Sequence, residues 1–171
     1  NDFTTLSDDC GTTGFASVTF TATDDCGNAA STTAPFILLD TDAPSIDTQA
    51  ESVTVECDGN QDAAFAAWLA NNGGATASDD CSDVTFDNNY NADNATDGCG
   101  GTSNVTIVFT ATDDCGNSAS TSATFTVIDD TAPALTDASD LTVECDGSGN
   151  QTELNEWLAS NGGSTATDAC D

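Results

Sequence analysis

Carboxylates and thiols are the side chains in this chain with the most chemistry to offer. Thirty Asp and Glu residues meet no Lys, Arg or His, for a net charge of −30 over 171 residues. The acidic residues gather in pairs, at Asp8-Asp9, Asp24-Asp25, Asp79-Asp80, Asp113-Asp114 and Asp129-Asp130. Oxygen-rich clusters beside Asn and Gly suit a hard divalent cation, since Ca2+ takes about six to eight oxygen ligands. The expected Ca2+ ligands are Asp24, Asp25 and Asn28 in one turn and Asp113, Asp114 and Asn117 in another, with Asp40, Asp42, Asp129 and Asp130 in two linker segments. Like charges roughly 6 Å apart in water cost about 0.7 kcal/mol per pair before screening. The balancing cations must therefore come from solution.

The acidic pairs do not read as catalytic. Glycoside hydrolysis needs one carboxylate pair in one cleft, whereas these pairs recur at turn after turn. Without His, Lys or Arg there is no general base poised near neutrality and no side-chain anion clamp. No enzymatic activity is expected. The charge also disfavours nucleic acid and anionic membranes as partners, and no apolar run is long enough to insert into a membrane.

The elements that position these groups come in two copies. Phe20 to Asn28 recurs letter for letter at Phe109 to Asn117, an offset of 109 − 20 = 89 residues. The same offset relates Cys10 to Cys99, Pro44 to Pro133, Trp68 to Trp157 and Cys81 to Cys170, while Cys57 and Cys145 differ by 88. A period this long marks tandem domains rather than stacked hairpins. The register predicts the C-terminal half of a repeat over 1–41, a complete repeat over 42–130 and the N-terminal half of another over 131–171. The piece equivalent to Asp83 to Asn89 is then the one missing from two full periods. Either the chain is an excerpt of a longer array, or a neighbouring subunit's residues 1–41 complete its residues 131–171.

Alternation of apolar residues with Thr predicts strands over 17–23, 105–111 and 123–128. Further strands are expected over 34–39, 52–57 and 140–145. A short helix is expected from Asp62 to Asn71, where Ala64, Phe65, Trp68 and Leu69 share a face and Gly73-Gly74 stop the element. Its copy runs from Glu153 to Ser160. Many short strands with turn signals between them predict an all-β chain of tandem immunoglobulin-like β-sandwiches, each with one short helix.

Asp40-Thr41-Asp42-Ala43-Pro44, Asp129-Asp130-Thr131-Ala132-Pro133 and the two Phe-Thr-Ala-Thr-Asp-Asp-Cys-Gly-Asn runs resemble the hyalin-repeat (HYR)-like and related Ig-like repeats of large secreted bacterial surface proteins. The resemblance implies an extracellular, fibrous or adhesive role without catalysis. The two linkers are also similar to the inter-domain calcium linkers of cadherins, although Asp42 has Thr131 as its counterpart.

Eight cysteines imply disulfides and an oxidising, extracellular setting. Cys99 to Cys115 would have to clip both ends of one long strand, about 30 Å apart, and is disfavoured together with Cys57 to Cys81. In an Ig-like sandwich the strands closed by Cys57 and followed by Cys115 end at one pole. The expected bridges are therefore Cys57–Cys115 and Cys81–Cys99. By register, Cys10 then needs Cys170, and Cys26 needs Cys145, across a junction between subunits. Sequons at Asn94, Asn104 and Asn150, and Thr131 within Asp130-Thr131-Ala132, are candidate sites for covalent glycans.

The functional expectation is a structural subunit of an extracellular filament or stalk, self-associating head to tail and stiffened by Ca2+. The alternative is an adhesin repeat that binds glycan or a host surface. Tyr90 and the Asn-rich loop around it are the candidate contact for that reading.

Overall fold

The computed structural model describes residues 1–170. Strands β1 (Gly14–Thr23) and β2 (Ala29–Leu38) form an antiparallel hairpin, with Gly14 opposite Leu38 and Thr23 opposite Ala29. The middle copy follows as β3 (Ser45–Thr48), β4 (Val53–Glu56), α1 (Gln61–Ala70), β5 (Thr76–Ser78), β6 (Val84–Asn88), β7 (Thr96–Asp97), β8 (Ser103–Asp113) and β9 (Ser118–Ile128). The last copy supplies β10 (Ala134–Leu135), α2 (Gln151–Ala159) and β11 (Ala166–Thr167). Strands thus dominate the regular structure of the described residues, with α1 and α2 as the α-helices.

One five-stranded sheet organises the middle copy. Its order is β4-β9-β8-β6, with β7 also paired to β8, and β4 alone runs parallel to its neighbour. β3 and β5 form a separate two-stranded sheet.

The strand alternation explains the core. Val105, Ile107, Phe109 and Ala111 of β8 and Ala123, Phe125 and Val127 of β9 are buried on one face. The intervening Thr and Ser residues are partly or fully exposed. Helix α1 covers that face. The Trp68 ring lies 5.4 Å from Phe109 and 5.5 Å from Phe125, and its indole N–H donates to the Glu51 carbonyl at 2.9 Å, so its polar atom is satisfied. The helix stops at two left-handed residues, Asn72 (φ +53°) and Gly73. Gly73 has φ +65°, and a Cβ there would lie 3.0 Å from the Phe109 ring, so only glycine fits.

The last copy reproduces this scaffold without the sheet. Trp157 donates to the Ser139 carbonyl at 2.8 Å, and Ser139 N–H donates to Gly162 as Glu51 N–H donates to Gly73. Residues 140–145, expected as a strand, are not one. Their counterpart β4 exists as a strand because it pairs with β9, and among the described residues no equivalent of β9 lies beside 140–145.

The first copy shows the converse. Its hairpin matches β8–β9 residue for residue, yet Phe20 is 51% exposed where Phe109 is 0%, and Phe36 is 55% exposed where Phe125 is 3%. A free hairpin of this kind leaves apolar surface exposed to water and open edges.

Candidate functional site

The two ends of the middle copy, where it meets its neighbours, hold most of the reactive groups. At the first end the β8–β9 turn carries Cys115, bonded to Cys10 with Cα atoms 5.1 Å apart. Thr12 N–H donates to the Cys81 carbonyl at 2.8 Å beside it. At the second end Cys57, which follows β4, is bonded to Cys170 with Cα atoms 5.6 Å apart. There Gly101 N–H donates to the Cys170 carbonyl at 3.1 Å. Thr12 and Gly101, like Cys81 and Cys170, are related by the 89-residue offset, so both ends use one contact.

These bonds correct the expected pairing. Cys115 joins Cys10 rather than Cys57, and Cys57 joins Cys170 rather than Cys115. Cys81–Cys99 does not form, and Cys10 and Cys170 are each bonded elsewhere, which excludes Cys10–Cys170. The Cys26–Cys145 pair, expected between two subunits, is one that a single chain cannot show. The reason is the direction of β4. Because it runs parallel to β9, with Glu56 opposite Ile128, Cys57 sits beyond the far end of β9 while Cys115 precedes its start. An eleven-residue strand, about 36 Å long, separates them. The observed bonds join the position types of the disfavoured pairs, but each partner comes from the adjacent copy, so no strand folds back on itself. Among the described residues, Cys26, Cys81, Cys99 and Cys145 have no disulfide partner.

The Asp-Asp-Cys-Gly-Asn turns hold themselves together. Asn28 side-chain N–H donates to Asp24 at 2.8 Å, and Asn117 side-chain N–H donates to Asp113 at 2.9 Å. The backbone N–H groups of Asn28 and Asn117 reach the other oxygen of each carboxylate at 2.8 Å. Both oxygens of each Asp thus serve the turn. The Asn28 side chain and backbone hold the exposed Asp24 below the usual carboxylate range. Burial pushes Asp113 up, but hydrogen bonds from Asn117 and the turn outweigh it and lower its pKa. Asp25 and Asp114 are exposed. These turns read as structural.

Two linker carboxylates meet partners the sequence reading did not assign. Ligand atoms of Asp40, Asp79 and Cys81 lie within 4.8 Å of one another, and those of Asp129, Asp168 and Cys170 do the same. Each set is the other displaced by 89. The first lines a cleft of about 170 Å³ with Asp42 and Asp80. One Asp40 carboxylate oxygen is buried there without a hydrogen-bond partner among the described residues. Burial, then the charges of Asp79, Asp113 and Asp42, raise the Asp40 pKa. Asp42 instead gives its N–H to Asp40, as Thr131 gives its N–H to Asp129. Asp130 N–H donates to Glu56. Asp79 and Asp168 were legible in principle, since each stands two residues before a cysteine at the repeat offset.

Among the sequons, Asn94 and Asn104 are exposed. Asn150 uses its side chain to cap its own loop, donating to the Glu144 carbonyl and accepting from Asp146 N–H. The Thr131 hydroxyl donates to Glu56 at 3.0 Å. Tyr90 packs edge-on against Phe65, with ring centroids 4.9 Å apart, so the adhesin candidate is partly taken up in packing.

The half-copies carry the other unpaired surface. Leu141, Val143, Leu154 and Trp157 line an open groove of about 550 Å³, where the middle copy has β9 and Phe125. No protein-family model matches the sequence, and no curated protein matches it.

Proposed function

We propose that this chain is a structural subunit of an extracellular filament or stalk, built from immunoglobulin-like repeats. Its β1–β2 hairpin completes the 131–170 half of a neighbouring copy. The observation that carries this reading is Phe20 and Phe36 standing exposed while their counterparts Phe109 and Phe125 are buried. Fully burying one such side chain is worth about 1.5–3 kcal/mol, so a hairpin presenting several has a strong drive to dock. The groove over α2 offers Leu141, Val143, Leu154 and Trp157 as an apolar counterpart, alongside Asp140, Thr142 and Asn150.

Disulfides between copies fit an oxidising, extracellular setting. A hard divalent cation such as Ca2+ fits the four carboxylates, Asp40, Asp42, Asp79 and Asp80, that line the cleft beside Ser45, Ser78 and Cys81, and the orphaned Asp40 oxygen. When bound, such an ion would cancel the repulsion that these residues impose on one another and brace the linker against the middle copy.

Electron microscopy of the oxidised protein, with and without a calcium chelator, tests the reading. Filaments that soften or fray in chelator are expected. Short monodisperse particles under both conditions would overturn it.

A further inference from the structure

Cys10 and Cys99 sit in the same turn. Thr13 donates its hydroxyl to the Cys10 carbonyl at 2.6 Å, and Thr102 donates to the Cys99 carbonyl at 2.7 Å. Cys10 is bonded to Cys115, the cysteine of the Asp-Asp-Cys-Gly-Asn turn on the following copy. Cys99 is free, and the cysteine of that same turn in the first copy is Cys26, also free. The second bond repeats the logic. Cys170 is bonded to Cys57 of the preceding copy. Its counterpart Cys81 is free, and the counterpart of Cys57 is Cys145, the last free cysteine.

Each junction in the chain therefore shows one of two bonds. Where Cys10–Cys115 is closed, Cys81 stands beside it unpaired. Where Cys57–Cys170 is closed, Cys99 stands beside it unpaired. We propose that a second copy of this chain supplies both missing partners, so that Cys99 and Cys145 of one chain bond Cys26 and Cys81 of the next. The proposal rests on the head-to-tail reading above and adds its covalent chemistry.

The second copy is the fitting occupant because the deficits are mutual. The four free thiols divide into two that await a following copy (Cys99, Cys145) and two that await a preceding one (Cys26, Cys81). The apolar surfaces divide in the same sense: the exposed hairpin of Phe20 and Phe36 at one end, and the groove of Leu141, Val143 and Trp157 at the other. A metal-thiolate role for Cys81 beside Asp40 and Asp79 does not fit the repeat, because the equivalent Cys170 sulfur, beside Asp129 and Asp168, is already in a disulfide.

Each new bond needs an oxidant of the disulfide class. One cysteine thiolate displaces half of the oxidant and forms a mixed disulfide. The second thiolate then attacks the protein sulfur and expels the other half. Two cysteine thiols and one oxidant disulfide become one protein disulfide and two released thiols, which carry the two protons and two electrons.

The test is oxidation of an equal mixture of nitrogen-14 and nitrogen-15 full-length protein with oxidised glutathione, followed by non-reducing peptide mapping. The chain has no Lys or Arg, so trypsin cannot cut it and a protease specific for Asp is used. Mixed-isotope peptides joining Cys99 to Cys26, and Cys145 to Cys81, are expected, with about half of each linked pair carrying both labels. Single-isotope links only, or Cys26–Cys145 and Cys81–Cys99 links, would overturn the proposal. Filaments whose four thiols all remain open to alkylation would sink the bonds and leave the polymer standing, whereas absence of both filaments and links would sink the two together. In the Cys99→Ser/Cys145→Ser double variant, the ladder of oligomers on a non-reducing denaturing gel is expected to collapse to single chains. A ladder that persists in that variant also contradicts the assignment.

Discussion

Phe20 and Phe109 occupy the same position in two copies of one hairpin, and the first is 51% exposed while the second is fully buried. The difference is what lies above them. Phe109 has Trp68 at 5.4 Å, and the equivalent tryptophan for Phe20, Trp157, stands in the other half-copy. The two phenylalanines therefore have separable roles. Phe109→Ala is expected to destabilise the middle copy by about 3–5 kcal/mol in urea unfolding. Phe20→Ala is expected to leave that transition in place and weaken assembly, read by sedimentation.

Gly73 and Gly59 separate backbone strain from crowding. Both have positive φ, +65° and +87°, but a Cβ at Gly73 meets Phe109 and Ala50 within 3.1 Å while one at Gly59 meets nothing within 4 Å. Gly59→Ala is expected to cost about 1–2 kcal/mol for the left-handed backbone alone. Gly73→Ala should cost more, because the Phe109 ring must also move. Equal losses in chemical denaturation would contradict the packing described for Gly73.

The two observed disulfides join different copies, and none closes within 42–130. Reduction should therefore release the flanks before it unfolds the middle. In hydrogen exchange, dithiothreitol is expected to speed exchange at residues 1–41 and 131–170 while β8 and β9 stay protected. Loss of protection in β8 at the same time would mean that the bridges hold the middle core itself.

The Asp146 carboxylate accepts N–H bonds from Ser148, Gly149 and Asn150. With the Ser148 hydroxyl contributing most, these bonds lower its pKa from 3.8 to about 2. A lowered carboxyl pKa means the folded loop favours the ionised form. Its contribution is thus complete above 3.8 and is lost as pH falls towards about 2. Carbon-13 NMR titration should show Asp146 ionising well below an exposed Asp, and the Ser148→Ala variant should shift it upward.

Asp40 gives a sign reversal. Its ionised form is opposed by burial and by neighbouring carboxylates. Without divalent cation, Asp40→Asn is expected to raise the melting temperature by removing that repulsion. With millimolar Ca2+, the wild-type chain should gain stability and the variant should gain less. An equal calcium gain in both proteins would remove Asp40 from any cation site.

The strands β1, β2, β4, β8 and β9, with α1 and its copy, were legible because alternation and the Phe65–Trp68–Leu69 face are local signals. The copies were legible because nine residues repeat without change. The disulfides were not. Pairing depended on β4 running parallel to β9, which places Cys57 at the far end of the sheet from Cys115, and no local pattern encodes that direction. The acidic clusters were half legible. Aspartates in a turn look alike in sequence, yet Asp24 and Asp113 spend both oxygens on their own turns, while Asp40 meets Asp79 from a distant loop. Residues 140–145 have the composition of a strand, but a strand requires a partner, and among the described residues no strand lies beside them.

The most direct measurement of half-domain completion is a structure of the oxidised assembly at side-chain resolution. Trp157 of one chain is expected against Phe20 of the next, at close to the 5.4 Å separation of Phe109 and Trp68, with residues 140–145 of the first paired as a strand along β2 of the next. A map in which the hairpin stays in solvent, or packs elsewhere than over α2, would contradict completion of one chain by another.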